Sequence, residues 1–454
     1  MFKKQKTNKI YYQSTVALAG PIVISQLGHT LVQTMDTIII GHYAGTISLA
    51  AVSLVHSVFM VVLVIGLGIA YGLTPLIAQE NGKSNYQECA RLLSNSLWLN
   101  IVSAILLFLL VYFGSMFAMQ HAQQDPEVVA TAKPYLLILS LSILPLMIFQ
   151  TFKQFAEGLG FTKQAMKITI WGNVLNIIIA VILVKGVFGI APLGVKGVGI
   201  ATLIDRVLMM IVMIWYVFRS HNFKSYLQYF SVKFINFSKI RNVVKIGLPV
   251  ALQYVFEIGA FAVAAIMAGQ LGSIEQAAHQ TAITLVAMTY MMAGGIASAT
   301  TIKVGNSFGK KNYIRLQKFA HASYHLVIIF MLFFAIIFTL FNQYLPYLIT
   351  SDAKVIVLAA QLLIIAGIFQ IFDGAQVVGL GSLRGIGDVN IPTFITFFAY
   401  WLIGLPFSYL LGIYFNLGIN GIWYGLTLGL FTSSVLMYFR FQHVMKIKLG
   451  QTKL

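Results

Sequence analysis

Residues 82–86 read GKSNY and residues 309–313 read GKKNY. The two stretches differ only at Ser84 and Lys311, and they lie 227 residues apart (309 − 82) in a chain of 454. The agreement extends outward. Gly20–Pro21 corresponds to Gly247–Leu248–Pro249, Gly41 to Gly269, and LGVKGVG (193–199) to LGINGIW (417–423), with offsets of 224 to 228. The GKxNY match lies in a polar stretch, so the shared composition of apolar segments does not explain it. The chain reads as one unit written twice.

Composition says what kind of unit. The chain is 59% hydrophobic and 9% charged, whereas a soluble globular chain carries about 25% charged residues. Ile101–Phe113, Leu326–Leu340 and Trp401–Phe415 hold no charge. They lie within longer runs that reach the roughly 20 residues a membrane-spanning helix needs. A transmembrane barrel would alternate apolar and polar residues, and these runs are apolar on every side. The basic start, MFKKQKTNKIYYQ, is followed by apolar sequence from Val16 to Ile40. That run outlasts the core of a cleaved signal peptide, so it reads as a retained first helix. One cysteine, Cys89, makes neither an internal disulfide nor a zinc cluster.

Charged and Gly/Pro-rich breaks divide the chain into twelve spans, at 14–40, 48–78, 91–118, 130–157, 162–185, 192–219, 239–270, 275–306, 318–345, 353–380, 387–413 and 417–446. With that count, 25 Lys and Arg fall on one side and four (Lys133, Lys185, Lys196, Lys354) on the other, Arg206 lying inside a span. This positive-inside asymmetry places both termini in the cytoplasm. It also reads the net charge of +18 as a topology signal rather than a nucleic-acid footprint. The expected organisation is an all-α polytopic membrane protein. A cytoplasmic segment, 1–13, precedes a six-helix bundle, 14–219. A cytoplasmic linker, 220–238, leads to a second bundle, 239–446, and a tail, 447–454. Six is even, so both copies enter the membrane alike. Such parallel repeats mark secondary transporters, with sites near the midplane.

Of twelve acidic residues, four fall inside spans: Asp36, Asp205, Glu257 and Asp373. Intramembrane charge is costly and points to function. Glu257 lies twelve residues after Lys245 and Asp373 eleven before Arg384. At 1.5 Å per residue both sit about 16–18 Å from the same face, on different helices. Two carboxyls at one level can share a proton or hold a small cation. Asp36 lies five residues before Gly41, towards the outer end of helix 1. Glu257 aligns with His29 and Asp36 with Ala264, so the acids break the repeat. Asp205 and Arg206, as helix neighbours, point about 100° apart and read as structural. Asn173 and Asn176 share a face of helix 5; Gln253 lies one turn before Glu257, and Gln370 and Gln376 flank Asp373. Such amides complete ion shells and equally join helices. No GxxxxGK[ST], HExxH, CxxC or GxSxG motif occurs, which disfavours an ATP-driven pump or a membrane enzyme. The 17 Met and 34 Phe suit adaptable apolar binding.

Several stretches together resemble the multidrug and toxic compound extrusion (MATE) family, NorM-type branch, over about residues 14–440. They are QTMDTIIIGHYAG (33–45), PLIAQENGKSNY (75–86), AAHQTAI (277–283) and FQIFDGAQVVGLGSLRGIGD (369–388). The resemblance implies two six-helix bundles around a V-shaped cavity. It also implies export of cationic, amphipathic drugs in exchange for Na⁺ or H⁺ across the bacterial inner membrane, with no cofactor, no nucleic-acid partner and a functional monomer. By the same resemblance Glu257, Asp373 and Asn176 serve ion coupling, Na⁺ at Glu257 and Asp373 being the one metal implied, and Asp36 binds substrate or proton. Where relatives carry oxygen-bearing side chains, this chain has Ala180 and Phe369. The choice between Na⁺ and H⁺ therefore stays open. A flippase or exporter of lipid-linked metabolites is the alternative; it would need several buried bases, and only Arg206 stands out as one.

Overall fold

The computed structural model describes the backbone of residues 2–121, 126–187, 189 and 191–451. The side chains of residues 2–8, 29, 30, 33, 46, 118, 120, 121 and 451 lie outside the described set. Twelve long helical segments follow in order. They are α1 (Phe2–Tyr43), α2 (Gly45–Tyr71, continued as Leu73–Gly82), α3 (Tyr86–His121) and α4 (Pro126–Leu141, continued as Ile143–Gly158). Next come α5 (Thr162–Lys185), α6 (Val195–Arg219), α7 (Phe237–Leu271) and α8 (Ser273–Gly309). The last are α9 (Tyr313–Leu340), α10 (Ala353–Ile386), α11 (Asn390–Tyr414) and α12 (Gly418–Gln451). In lipid the backbone must satisfy its own hydrogen bonds, and helices do so within one segment. Among the described residues, eleven helices are long and apolar enough to cross a membrane. The expected first crossing lies on α1, a 42-residue helix outside that count, in which the side chains of His29, Thr30 and Gln33 are not described.

The repeat recurs in the backbone. Residues with left-handed φ pair at an offset of 227: Gly45 with Gly272, Ser84 with Lys311, Gly160 with Gly387, and Gly189 with Asn416. GKSNY and GKKNY are the same turn. Ser84 N–H donates to Asn81 C=O (3.0 Å) and Asn85 N–H to Glu80 C=O (3.0 Å). In the second copy Lys311 N–H donates to Phe308 C=O (2.9 Å) and Asn312 N–H to Ser307 C=O (3.0 Å). The asparagine then caps the next helix, Asn85 Oδ1 accepting from Glu88 N–H (3.2 Å) and Asn312 Oδ1 from Arg315 N–H (2.9 Å).

Two compact units result, and they do not coincide with the two halves of the sequence. One comprises Met1–Val23 with Leu252–Leu454, the other Ile24–Ala251. Their boundaries stand 228 residues apart (251 − 23). Each unit thus takes the first half of the other repeat's leading helix, α1 or α7. The seats of these half-helices are also repeated. A Cβ on Gly68 of α2 would lie 2.7 Å from Ala251 Cβ of α7; one on Gly295 of α8 would lie 2.8 Å from Val23 N of α1. Gly68 and Gly295 are again 227 apart, and only glycine admits so close an approach.

The connection between repeats is fastened along its length. Trp98 Nε1 donates to Val232 C=O (2.7 Å), Asn236 N–H to Asn95 Oδ1 (2.6 Å), and Lys239 pairs with Glu88. Burial pushes the Tyr226 hydroxyl up to about 12, and it donates to Asn81 Oδ1 at 2.8 Å. Two bases expected in connections belong to helices. Lys153 is buried in α4, 3.9 Å from Glu157 and 3.1 Å from Ser25 Oγ. Arg384 lies two residues inside the end of α10. Arg206 is therefore not the one buried base, as the sequence suggested; the helices run past the hydrocarbon boundary and carry their charges with them.

Alanine at Gly68 should lower stability by about 1–3 kcal/mol, because its methyl has no room. Gly114, exposed on α3 with nothing within 4 Å of a Cβ, should tolerate alanine or gain up to about 1 kcal/mol. Thermal unfolding of the detergent-solubilised variants checks this; equal melting temperatures would refute the seat.

Candidate functional site

In the unit that includes Leu252–Leu454, four helices bring polar groups to one place. Gln253 and Glu257 stand one turn apart on α7, past Pro249. Both are buried, and so is Asp373 on α10, at 2% exposure. The charged group bearing on Asp373 is Glu257, and the one bearing on Glu257 is Arg384. The structure thus unites the two acids that the sequence placed at one level. Tyr290 of α8 donates to Glu257 Oε2 at 3.4 Å and also interacts with Asp373. Tyr400 of α11, fully buried, donates to Gln376 Oε1 (3.1 Å) and interacts with both acids.

Tyr400 sits where α11 widens. Leu405 N–H bonds to Tyr400 C=O, an i→i+5 closure within the π-helical stretch Phe398–Gly404. Such bulges are rare and recur at functional sites. Arg384 is organised by neighbours: Nε and Nη2 donate to Gln253 Oε1 (3.1 and 2.7 Å), and the guanidinium lies 5.2 Å from the Tyr254 ring centre. Gln253 Nε2 in turn donates to Thr393 Oγ1 (2.9 Å) and Val389 C=O (3.2 Å). Two carboxyls, two phenols and amide oxygens gather here, with Arg384 beside Glu257 and Gln253. That is an all-oxygen donor set, the kind that suits hard cations and protons.

Two sequence candidates lie elsewhere. Gln370 donates to Met331 C=O (3.3 Å), and its Oε1 has no partner. Phe369 packs on Trp423 (5.5 Å) and Phe261 (6.0 Å). Tyr290, Tyr400 and Arg384 were not singled out from the sequence. Arg384 left a signal: it follows Asp373 by eleven residues, three turns of one helix face. The tyrosines left none among 21.

The other unit, Ile24–Ala251, holds a second cluster. Asp36, at 4% exposure on α1, interacts with Arg206 and Asp205 of α6. Arg206 Nη1 donates to Ser142 Oγ (2.6 Å), and its guanidinium lies 5.5 Å from the Phe59 ring centre. Tyr135, fully buried, hydrogen-bonds His56 Nε2 at 2.7 Å and interacts with Asp36 and Arg206. Asn176 Nδ2 donates to Thr202 Oγ1 at 3.4 Å, while Asn173 lies beside Gly28. Asp36 Oδ1, Asp205 Oδ1, Asn176 Oδ1 and Asn173 Nδ2 are buried without a hydrogen-bond partner. Leaving such groups unpaired costs about 1–3 kcal/mol each, so this cluster retains unused capacity for polar contacts.

Comparison with known proteins agrees with this architecture. The MatE family model matches twice, over residues 21–182 and 249–410, two stretches of equal length displaced by 228. The "Multidrug resistance protein MdtK" of Yersinia pseudotuberculosis serotype O:1b is 32% identical over 438 residues, 96% of each chain. The homologous protein of Yersinia enterocolitica serotype O:8 has the same identity and coverage. Among solved structures, the eukaryotic MATE transporter AtDTX14 superposes with a TM-score of 0.88 at 19% identity, over 98% of this chain and 99% of that one. The chain belongs to the MatE family, and its fold is that of the MATE transporters.

Proposed function

We propose that this transporter expels cationic, amphipathic drugs across the bacterial inner membrane in exchange for Na⁺ or H⁺, by alternating access, with both termini cytoplasmic. Multidrug efflux is supported by its relatives, which are named as multidrug resistance proteins. The observation that carries the coupling is the burial of Glu257 and Asp373 near enough to repel one another, with Arg384 acting on Glu257. An ion bound there relieves the repulsion between the two carboxylates. It drives transport because its affinity differs between the two arrangements of the protein. Asp36 is the corresponding substrate or proton station in the other unit, and Asn176, expected to serve ion coupling, lies in that unit as well.

The flippase alternative asks for bases free to hold a pyrophosphate. Arg206, Arg384 and Lys153 are already engaged by acids: Arg206 by Asp205 and Asp36, Arg384 by Glu257, and Lys153 by Glu157. No observation favours that reading.

Asp373→Asn should reduce efflux of a fluorescent cationic dye from cells at least about tenfold, the scale of a lost buried charge contact; wild-type efflux would sink the coupling role. Dye uptake into inverted vesicles, under a Na⁺ gradient or a pH gradient imposed separately, should respond to one and not the other. Arg384→Gln removes a fixed positive charge competing for the pair. The coupling-ion concentration for half-maximal dye transport should therefore fall several-fold, and a rise would show that Arg384 does not compete with the ion.

A further inference from the structure

A cavity of about 470 Å³ opens between α9, α10 and α12, with none of the four intramembrane acids in its lining. Its polar wall is His321, Tyr324 and His325 of α9 with Ser434 of α12; its apolar wall includes Ile328, Val435 and Phe439. Phe439 is 64% exposed, on the lipid side. Tyr324 is buried, and its hydroxyl has no hydrogen-bond partner. His325 Nδ1 is 2.7 Å from Tyr12 Oη of α1, and Gln442 Nε2 is 3.3 Å from His321 Nε2. The cavity therefore has a fixed polar rim.

Charge along α9 changes at this rim. Residues 313–325 contain Arg315, Lys318, His321 and His325 and no acid, while Leu326–Leu340 contains no charge. Lys318 precedes His321 by three residues and His325 by seven, on the same face of α9, and its Nζ lies 5.6 Å from the ring centre of Tyr11, the neighbour of Tyr12. Tyr11, Tyr12 and Tyr438 supply the amphipathic rings that settle at a membrane boundary. A ligand fitting both parts is anionic at one end and apolar along the rest.

We propose that this cavity binds an anionic phospholipid, its phosphate on Lys318, His321 and His325 and an acyl chain along Ile328, Val435 and Phe439. Zwitterionic lipids carry a cation for which this lining holds no carboxylate. Basic pockets between transmembrane helices recognise anionic headgroups by the same physics. The site is independent of the transport reading.

The test is native mass spectrometry of the full chain released from nanodiscs containing phosphatidylglycerol and phosphatidylcholine in equal parts. The wild-type chain should retain phosphatidylglycerol preferentially. Lys318→Gln with His325→Gln should cut that preference roughly tenfold. Tyr12→Phe, which keeps the ring and loses the hydrogen bond, should weaken it in a chain that folds normally. Lys354→Gln, at the other end of the bundle, should leave it unchanged. Equal retention of both lipids by the wild type, or an undiminished preference in the rim variants, would overturn the site. So would stabilisation by soluble glycerol phosphate as strong as that by the lipid, because a free anion would then suffice.

Discussion

Everything in this fold hangs on two places where helix backbones come closer than side chains permit. At Gly68 the backbone of Ala251 lies against α2, and at Gly295 the backbone of Val23 lies against α8. Both contacts are internal to a compact unit, yet each joins segments from different repeats. Without them the leading half of α1 or α7 would lose its seat. Those helices also carry Asp36, Gln253 and Glu257, so the packing constraint and the polar chemistry share the same rods.

The two polar clusters have the same inventory assembled from non-equivalent positions. Each holds two buried acids and one arginine: Asp36 and Asp205 both bear on Arg206, while Glu257 bears on Asp373 and Arg384 bears on Glu257. The repeat relation does not generate this. Arg384 corresponds, at the offset of 227, to Glu157, an acid paired with Lys153. Backbone geometry has been kept in both halves while the charged side chains were redistributed. The ratio leaves each cluster with an excess of negative charge when its acids are ionised, which favours cations in either unit.

Much of the fold was legible because bilayers impose simple rules. Charge-free runs, Gly/Pro breaks and basic ends gave spans whose limits lie close to the helices; the fifth, 162–185, coincides with Thr162–Lys185. The errors share one cause. A Lys or Arg near a span end reads as solvated in the sequence, yet Lys153 and Arg384 sit within helices together with their partners. Glu257 and Asp373 were found because isolated intramembrane acids are rare. Tyr290 and Tyr400 were not, because tyrosine is common in such chains and nothing local distinguishes a ligand from packing. The exchange of half-helices was hidden for a different reason. Periodicity shows that a helix has a buried face but not which neighbour buries it.

That exchange bears on where the chain came from. In this chain the first half of each repeat's leading helix is seated on the other repeat. Two such copies would each lend that segment to the other and form a domain-swapped dimer with isologous seats. Fusing them through a connection such as residues 220–238 makes the partnership intramolecular and frees each half to change its acids independently. The chain is, in this sense, two mutually dependent partners joined by one covalent connection.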